Sequence, residues 1–72
     1  MSEFVETREI VERVKDVLSK DIKGNIFDWH VADELGIPYS TLRVMIMKNR
    51  LPLKQVALFC YKRDLSITTM IF

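Results

Sequence analysis

At Gly36-Ile37-Pro38 the chain cannot continue as a helix, and that break governs what can be built around it. Glycine enters the left-handed conformation that ends a helix at little steric cost. Pro38 disfavours helical geometry at Ile37, so the stop is specified twice. Both flanks read as helices. Ahead of the break, Asp28 is a good N-cap for a helix Trp29–Leu35 with Val31, Ala32 and Leu35 on one side. Beyond it, a helix from about Tyr39 to Lys48 sets Leu42, Met45 and Ile46 on an inward stripe. Tyr39, Ser40, Arg43 and Met47 are left on another side, and Asn49 can end the helix.

The rest of the chain is also helical in pattern. Apolar residues at Ile10, Val11, Val14, Val17 and Leu18 follow a 3.6-residue rhythm. Ser2 is expected to cap this first helix, with Glu3 and Glu6 at its positive end and Lys20 at the other. Its wet face pairs Glu9 with Arg13 and Glu12 with Lys15. Gly24-Asn25 ends or turns the chain. Pro52 fits the first turn of a fourth helix reaching about Arg63, with Leu53, Val56, Ala57, Phe59 and Cys60 available to a core. Ser66 can cap a short helix from Ile67 to Ile71. No strand pattern, repeat or linker interrupts this order. The expectation is one compact all-α domain of five helices: 1–25 leading helix, 28–48 helix–turn–helix, 52–72 closing helices.

Composition removes several classes of function. A chain of 72 residues is one small domain, and a domain this size buries only about 60% of the surface its unfolded chain exposes. The 49% apolar content can supply a core, and 29% charged residues point to a soluble chain. No apolar run approaches the roughly 20 residues of a membrane span, and the opening MSEFVETRE is unlike a secretory signal. Cys60 is the single cysteine and His30 the single histidine, which excludes an internal disulfide and argues against a protein-built zinc site. Between Phe59 and Tyr61, Cys60 reads as a small buried hydrophobe. No third group, glycine-rich phosphate loop or metal-ligand cluster accompanies it, so neither an enzyme nor a cofactor is expected. The net charge of +1 hides an uneven distribution. Residues 1–27 carry five basic and six acidic side chains. From Tyr39 to Arg63 there are six basic residues (Arg43, Lys48, Arg50, Lys54, Lys62, Arg63) and no acid. Such a stretch suits a polyanion, or an ordinary solvated face.

A DNA-reading helix–turn–helix braces one helix across the backbone and lays the second in the major groove. The crossing requires a small residue in the first helix, a glycine at the sharp turn and apolar residues that lock the pair. Ala32, Gly36, Ile37, Val31, Leu35, Leu42 and Met45 stand where that geometry wants them. The segment WHVADELGIPYSTLRVMIMKNRLPLKQVALFCYKRDLSI resembles the N-terminal DNA-binding domain of phage CI-type repressors, within the lambda-repressor-like superfamily. The shared features are V-A-x-x-L-G-I, a polar-led helix with S-T-L, a basic turn, L-P-L, an apolar helix with F-C, and a closing L-S-I.

The resemblance covers roughly residues 26–72. It implies a five-helix, lambda-repressor-like domain of a phage or prophage transcriptional repressor, binding a double-stranded DNA operator as a dimer in the bacterial cytoplasm. The main oligomerisation region is then expected outside this chain. The start of the third helix becomes the base-reading edge: Tyr39, Ser40 and Thr41, then Arg43 and Val44. The fork of Arg43 suits guanine O6 and N7, though a phosphate or solvent contact is its alternative. Ser40 and Thr41 fit either base contacts or simple capping, and Tyr39 fits a phosphate or a sugar. Lys48, Asn49 and Arg50 follow where the next phosphates would lie. The backbone N–H groups of Trp29 and His30 open the second helix and can hold another phosphate. The Trp29 ring reads as packing on the domain edge and His30 as a surface or boundary residue. Lys54, Lys62 and Arg63 read as solvated.

Val44 and Met47 lie on or beside the face that should enter the groove. Apolar groups there can touch a thymine methyl. They also motivate a rival reading, a protein-interaction module on the same scaffold that uses Val44, Met47 and the C-terminal Met70-Ile71-Phe72.

Overall fold

The computed structural model describes residues 5–72. Among them are five helices and no strand: α1 (Thr7–Leu18), α2 (Asp28–Leu35), α3 (Tyr39–Met47), α4 (Leu53–Lys62) and α5 (Ile67–Ile71). The all-α expectation holds. Helix α1 is the centre of the packing: its buried face of Ile10, Val11, Val14 and Leu18 meets α2, α3 and α5. Helix α4 closes the other side against α2 and α5 with Val56, Phe59 and Cys60. Val31, Ala32 and Leu35 of α2, Leu42 of α3, and Met70 and Ile71 of α5 complete one core.

The break that organises the sequence is built as expected. Gly36 takes φ +72°, ψ +31°. The Ile37 N–H donates to the Ala32 carbonyl at 3.0 Å and the Gly36 N–H to the Asp33 carbonyl at 3.1 Å. This pair of bonds is a Schellman motif, which satisfies carbonyls that the helix end would otherwise leave open. Ile37 then packs half-buried against the core.

The same device closes the next two helices without glycine. At the end of α3, Asn49 has φ +53°, with Arg50 N–H to the Met45 carbonyl at 2.8 Å and Asn49 N–H to the Ile46 carbonyl at 3.1 Å. At the end of α4, Asp64 has φ +56°, with Leu65 N–H to the Cys60 carbonyl at 2.8 Å and Asp64 N–H to the Tyr61 carbonyl at 3.2 Å. Asn and Asp are the residues other than glycine that tolerate this region best.

Helix starts differ more from expectation than helix ends. Ser2 and Glu3 lie outside the described residues. Helix α1 begins at Thr7, so Glu6 holds the extended N-cap position instead of sitting in the first turn. The cap comes from far along the chain: the Thr7 N–H donates to Asn49 Oδ1 at 2.8 Å. Lys20 falls in the turn beyond α1, and Lys15 is the basic residue of its last turn. Asp28 is the first residue of α2 and not its cap, because two cations of α1 draw its carboxylate away. Phe27 takes the cap position, and its N–H donates to His30 Nδ1 at 3.0 Å. Pro52 precedes α4 as N-cap, and Leu53 is exposed instead of joining the core. On the inward stripe of α3 only Leu42 is fully buried, while Met45 and Ile46 are half-buried. Ser66 caps α5 through Thr69 N–H, and both expected pairs on α1 form, Glu9–Arg13 at 3.6 Å and Glu12–Lys15 at 3.6 Å.

The C-terminal helix is clamped from α1. Arg13 Nη1 lies 3.1, 3.1 and 2.6 Å from the carbonyl oxygens of Thr69, Met70 and Phe72. The Val5 N–H donates to the Ile71 carbonyl at 3.0 Å. A cation at a helix C-terminus meets both its unsatisfied carbonyls and its dipole. None of the described helices is long and apolar enough to cross a membrane.

Candidate nucleic-acid interface

Helix α3 is anchored by one face and open on the others. Leu42 is 0% exposed, and the half-buried Met45 and Ile46 flank it. Tyr39, Ser40, Thr41, Arg43, Val44 and Met47 are all exposed, with Val44 at 44% and Met47 at 78%. The expected base-reading residues are therefore all exposed on α3, with Ser40, Arg43 and Val44 on the side away from Leu42 and Thr41 on its flank. Arg43 lies one turn beyond Tyr39, its guanidinium carbon 5.9 Å from the ring centroid, the outer limit of a cation–π contact.

The residues that follow α3 are exposed too, though they do different work. Lys48 and Arg50 form no ion pair among the described residues, which leaves both cations to solvent or to an anion. Asn49 has its side-chain oxygen committed to Thr7, so it joins the end of α3 to the start of α1.

At the opening of α2 the available backbone donors are shifted by one residue from expectation. The His30 N–H is already bonded to the Phe27 carbonyl at 3.0 Å, so it is not open to a phosphate. Helical geometry leaves the amides of Asp28 and Trp29 without acceptors inside α2. Trp29 is half exposed and stacks on His30, with centroids 3.7 Å apart and planes at 23°.

Charge at this corner comes from α1 as well. Asp28 Oδ1 is 2.7 Å from Lys15 Nζ, and Oδ2 is 3.3 Å from Arg8 Nη1. Burial acts to raise the Asp28 pKa, but Lys15 and then Arg8 outweigh it and hold the carboxyl below its ordinary value. Arg8 also lines one shallow depression with Asp28, Arg43, Ile46 and Met47. It lines a second with Lys15, Phe27, Asp28, Trp29 and Tyr39. Arg8 is the cation beside this candidate surface that sequence reasoning missed. It stands in an acid-balanced helix 35 positions before Arg43, and no local pattern couples the two.

The acid-free run from Tyr39 to Arg63 is divided in space. Arg63 is neutralised by Asp21 at 2.7 Å and Glu34 at 3.2 Å, and it lies 5.1 Å from the Phe59 ring centroid. Its guanidinium holds the α4 end to the turn after α1 and to α2. Lys54 and Lys62 are exposed on α4. Cations beside α3 with no ion pair among the described residues are therefore Arg43, Lys48 and Arg50; Arg8 of α1, paired with Asp28 and Glu12, adjoins them.

The comparisons with known proteins add no family. No family model, curated protein or solved structure matches the chain. Its function has to be read from its own residues. Of the apolar tail, Met70 and Ile71 are core residues and only Phe72 is exposed. Cys60 is buried away from this surface, and burial pushes its thiol pKa up.

Proposed function

We propose that this domain reads double-stranded DNA by sequence, as the operator-binding domain of a phage or prophage transcriptional repressor of the lambda-repressor-like kind. The observation that carries this reading is the outer side of α3. It presents Tyr39, Ser40, Arg43, Val44 and Met47 to solvent, free of acidic residues, behind a short turn fixed by Gly36. B-DNA's major groove is about 12 Å wide and admits one α-helix. With α3 in that groove, Arg43 offers a planar fork to guanine, and Ser40 and Thr41 offer hydroxyls to bases or phosphates. Val44 and Met47 meet thymine methyl groups. Lys48 and Arg50, and the Asp28 and Trp29 amides, face phosphates that set register without reading sequence. Two copies on half-sites about 34 Å apart supply the contacts that one small domain lacks. Occupancy of the operator in the bacterial cytoplasm then excludes polymerase.

The deciding experiment is an NMR titration of the labelled domain with a generic duplex at two salt concentrations. The expected result is shifts confined to Tyr39–Val44, Met47–Arg50 and the start of α2, fading as salt rises and counterions compete. Absence of shifts at either salt refutes DNA binding.

A second reading has one observation in its favour, the exposure of Val44 and Met47. A protein partner seated there would bury apolar area and bind with little response to salt. The burial of Met70 and Ile71 removes most of the C-terminal surface that this reading had counted on.

A further inference from the structure

We propose that Arg8 is a phosphate contact held in reserve: in the free domain its guanidinium rests on Asp28, and on DNA it transfers to a phosphate beside α3. This rests on the DNA-binding reading above.

The argument begins with Asp28, which faces two cations where one would suffice. Lys15 lies 2.7 Å from Oδ1 with its side chain 20% exposed, and Arg8 lies 3.3 Å from Oδ2 with its side chain 53% exposed. A half-buried carboxylate stripped of all partners is costly to keep charged. Departure of Arg8 leaves Lys15 in place, so Asp28 remains compensated. The other partner of Arg8 is Glu12 at 3.9 Å, an exposed pair of the kind that contributes little. Glu12 keeps Lys15 at 3.6 Å when Arg8 leaves. Arg8 is thus the most weakly held cation of the cluster.

Its position supplies the rest. Arg8 follows Thr7, whose N–H is bonded to Asn49 directly after α3, so the start of α1 is tied to the end of α3. From there Arg8 lines one depression with Arg43 and Met47, and the adjoining one with Trp29 and Tyr39. A phosphate passing along the edge of α3 comes within reach of a guanidinium that can bind it bidentately. Asp28 has a second consequence, because its own charge opposes the approach of phosphate. The acid that parks Arg8 therefore also weakens indiscriminate binding, a repulsive element of the kind specificity uses.

The test is fluorescence anisotropy with a labelled duplex of mixed sequence, from about 50 to about 200 mM salt. Wild type, Arg8→Gln, Arg8→Lys, Asp28→Asn and the double variant Arg8→Gln/Asp28→Asn are compared. Loss of one phosphate contact should flatten the slope of log K against log salt by about 0.9 for Arg8→Gln, while Arg8→Lys keeps the slope. Asp28→Asn should tighten binding several-fold in the wild-type background and much less in the Arg8→Gln background. An unchanged slope for Arg8→Gln, with wild type bound to DNA, overturns this proposal alone. Equal gains from Asp28→Asn in both backgrounds overturn the part given to Asp28, which then acts as a general charge. Failure of wild type to bind at any salt overturns the DNA reading and this inference with it. Should Asp28→Asn unfold, the exposed Arg8→Gln and Arg8→Lys pair decides the matter.

Discussion

Asn49 does two jobs at once, and a three-variant series separates them. Its backbone sits at φ +53° to close α3, and its Oδ1 accepts the Thr7 N–H at 2.8 Å to cap α1. Asn49→Ala loses both. A missing cap acceptor costs about 1 kcal/mol, and holding an ordinary L-residue in the left-handed region costs roughly 1–2 kcal/mol. The alanine variant should therefore lose about 2–3 kcal/mol. Asn49→Gly loses the cap but not the backbone conformation, and should lose about 1 kcal/mol. Asn49→Asp keeps an acceptor at the positive end of α1 and tolerates the same φ, so it should stay within about 0.5 kcal/mol of wild type. At about 0.05–0.15 kcal/mol per residue, 72 residues carry about 4–11 kcal/mol in all. The alanine loss is a large share of that total. Urea melts followed by far-UV circular dichroism give the ordering directly. Equal losses for Gly and Ala would refute the backbone argument, and an Asp variant as weak as Ala would refute the cap.

Other outcomes follow from the same contacts. Gly36→Ala should cost about 1–2 kcal/mol from the positive φ alone, because a Cβ there meets no atom within 4 Å; a far larger loss in the same melts would reveal a steric role. Asp28 titrates lower in the folded chain than in the unfolded one, so its contribution is complete above the ordinary carboxylate value near 3.8 and is lost as pH falls through the lower folded value. Asp28→Asn should accordingly lower stability at neutral pH and flatten the acid limb of a stability-against-pH curve; an unchanged limb removes Asp28 from acid unfolding. On a selected operator, Arg43→Ala should lose about 1–3 kcal/mol of discrimination, measured as the gap between operator and random duplex, whereas Lys48→Ala should weaken both DNAs alike. The buried Cys60 thiol, its pKa pushed up, should resist thiol reagents in the native state and react at the rate of unfolding.

The parts of this fold that were legible in the sequence are those ruled by neighbours along the chain. Gly36-Ile37-Pro38 needs nothing remote to stop a helix, and the rhythm from Ile10 to Leu18 states which face of α1 is buried. Ser66 as the cap of α5 is equally local. What was illegible depends on partners far away in sequence. Asp28 looks like a cap until Lys15 and Arg8 compete for its carboxylate. The true cap of α1 lies 42 positions later. Met70 and Ile71 read as a candidate partner surface until the packing of α5, its backbone held by Arg13 and Val5, puts them in the core. The candidate site divides the same way: the outer face of α3 follows from its period, but Arg8 enters only once α1 and α3 are packed.

A short α3 with one fully buried residue has little core area to hold its direction, yet the proposed reading of DNA needs that direction fixed closely. The connections supply what the core does not. Both ends of α3 are set by left-handed residues with paired backbone bonds, Gly36 before it and Asn49 after it, and Asn49 adds the bond to α1. Arg63 ties the end of α4 to α2, the helix on which α3 is hinged. Backbone hydrogen bonds resist rotation of a helix more directly than apolar contacts, which are non-directional. On the DNA-binding proposal, Asn49 is then a residue whose loss should impair DNA reading through the direction of α3: Asn49→Gly, folded and retaining Arg43, should lose discrimination between operator and random duplex. If that variant discriminates like wild type, the direction of α3 is set by Leu42 and its half-buried neighbours after all.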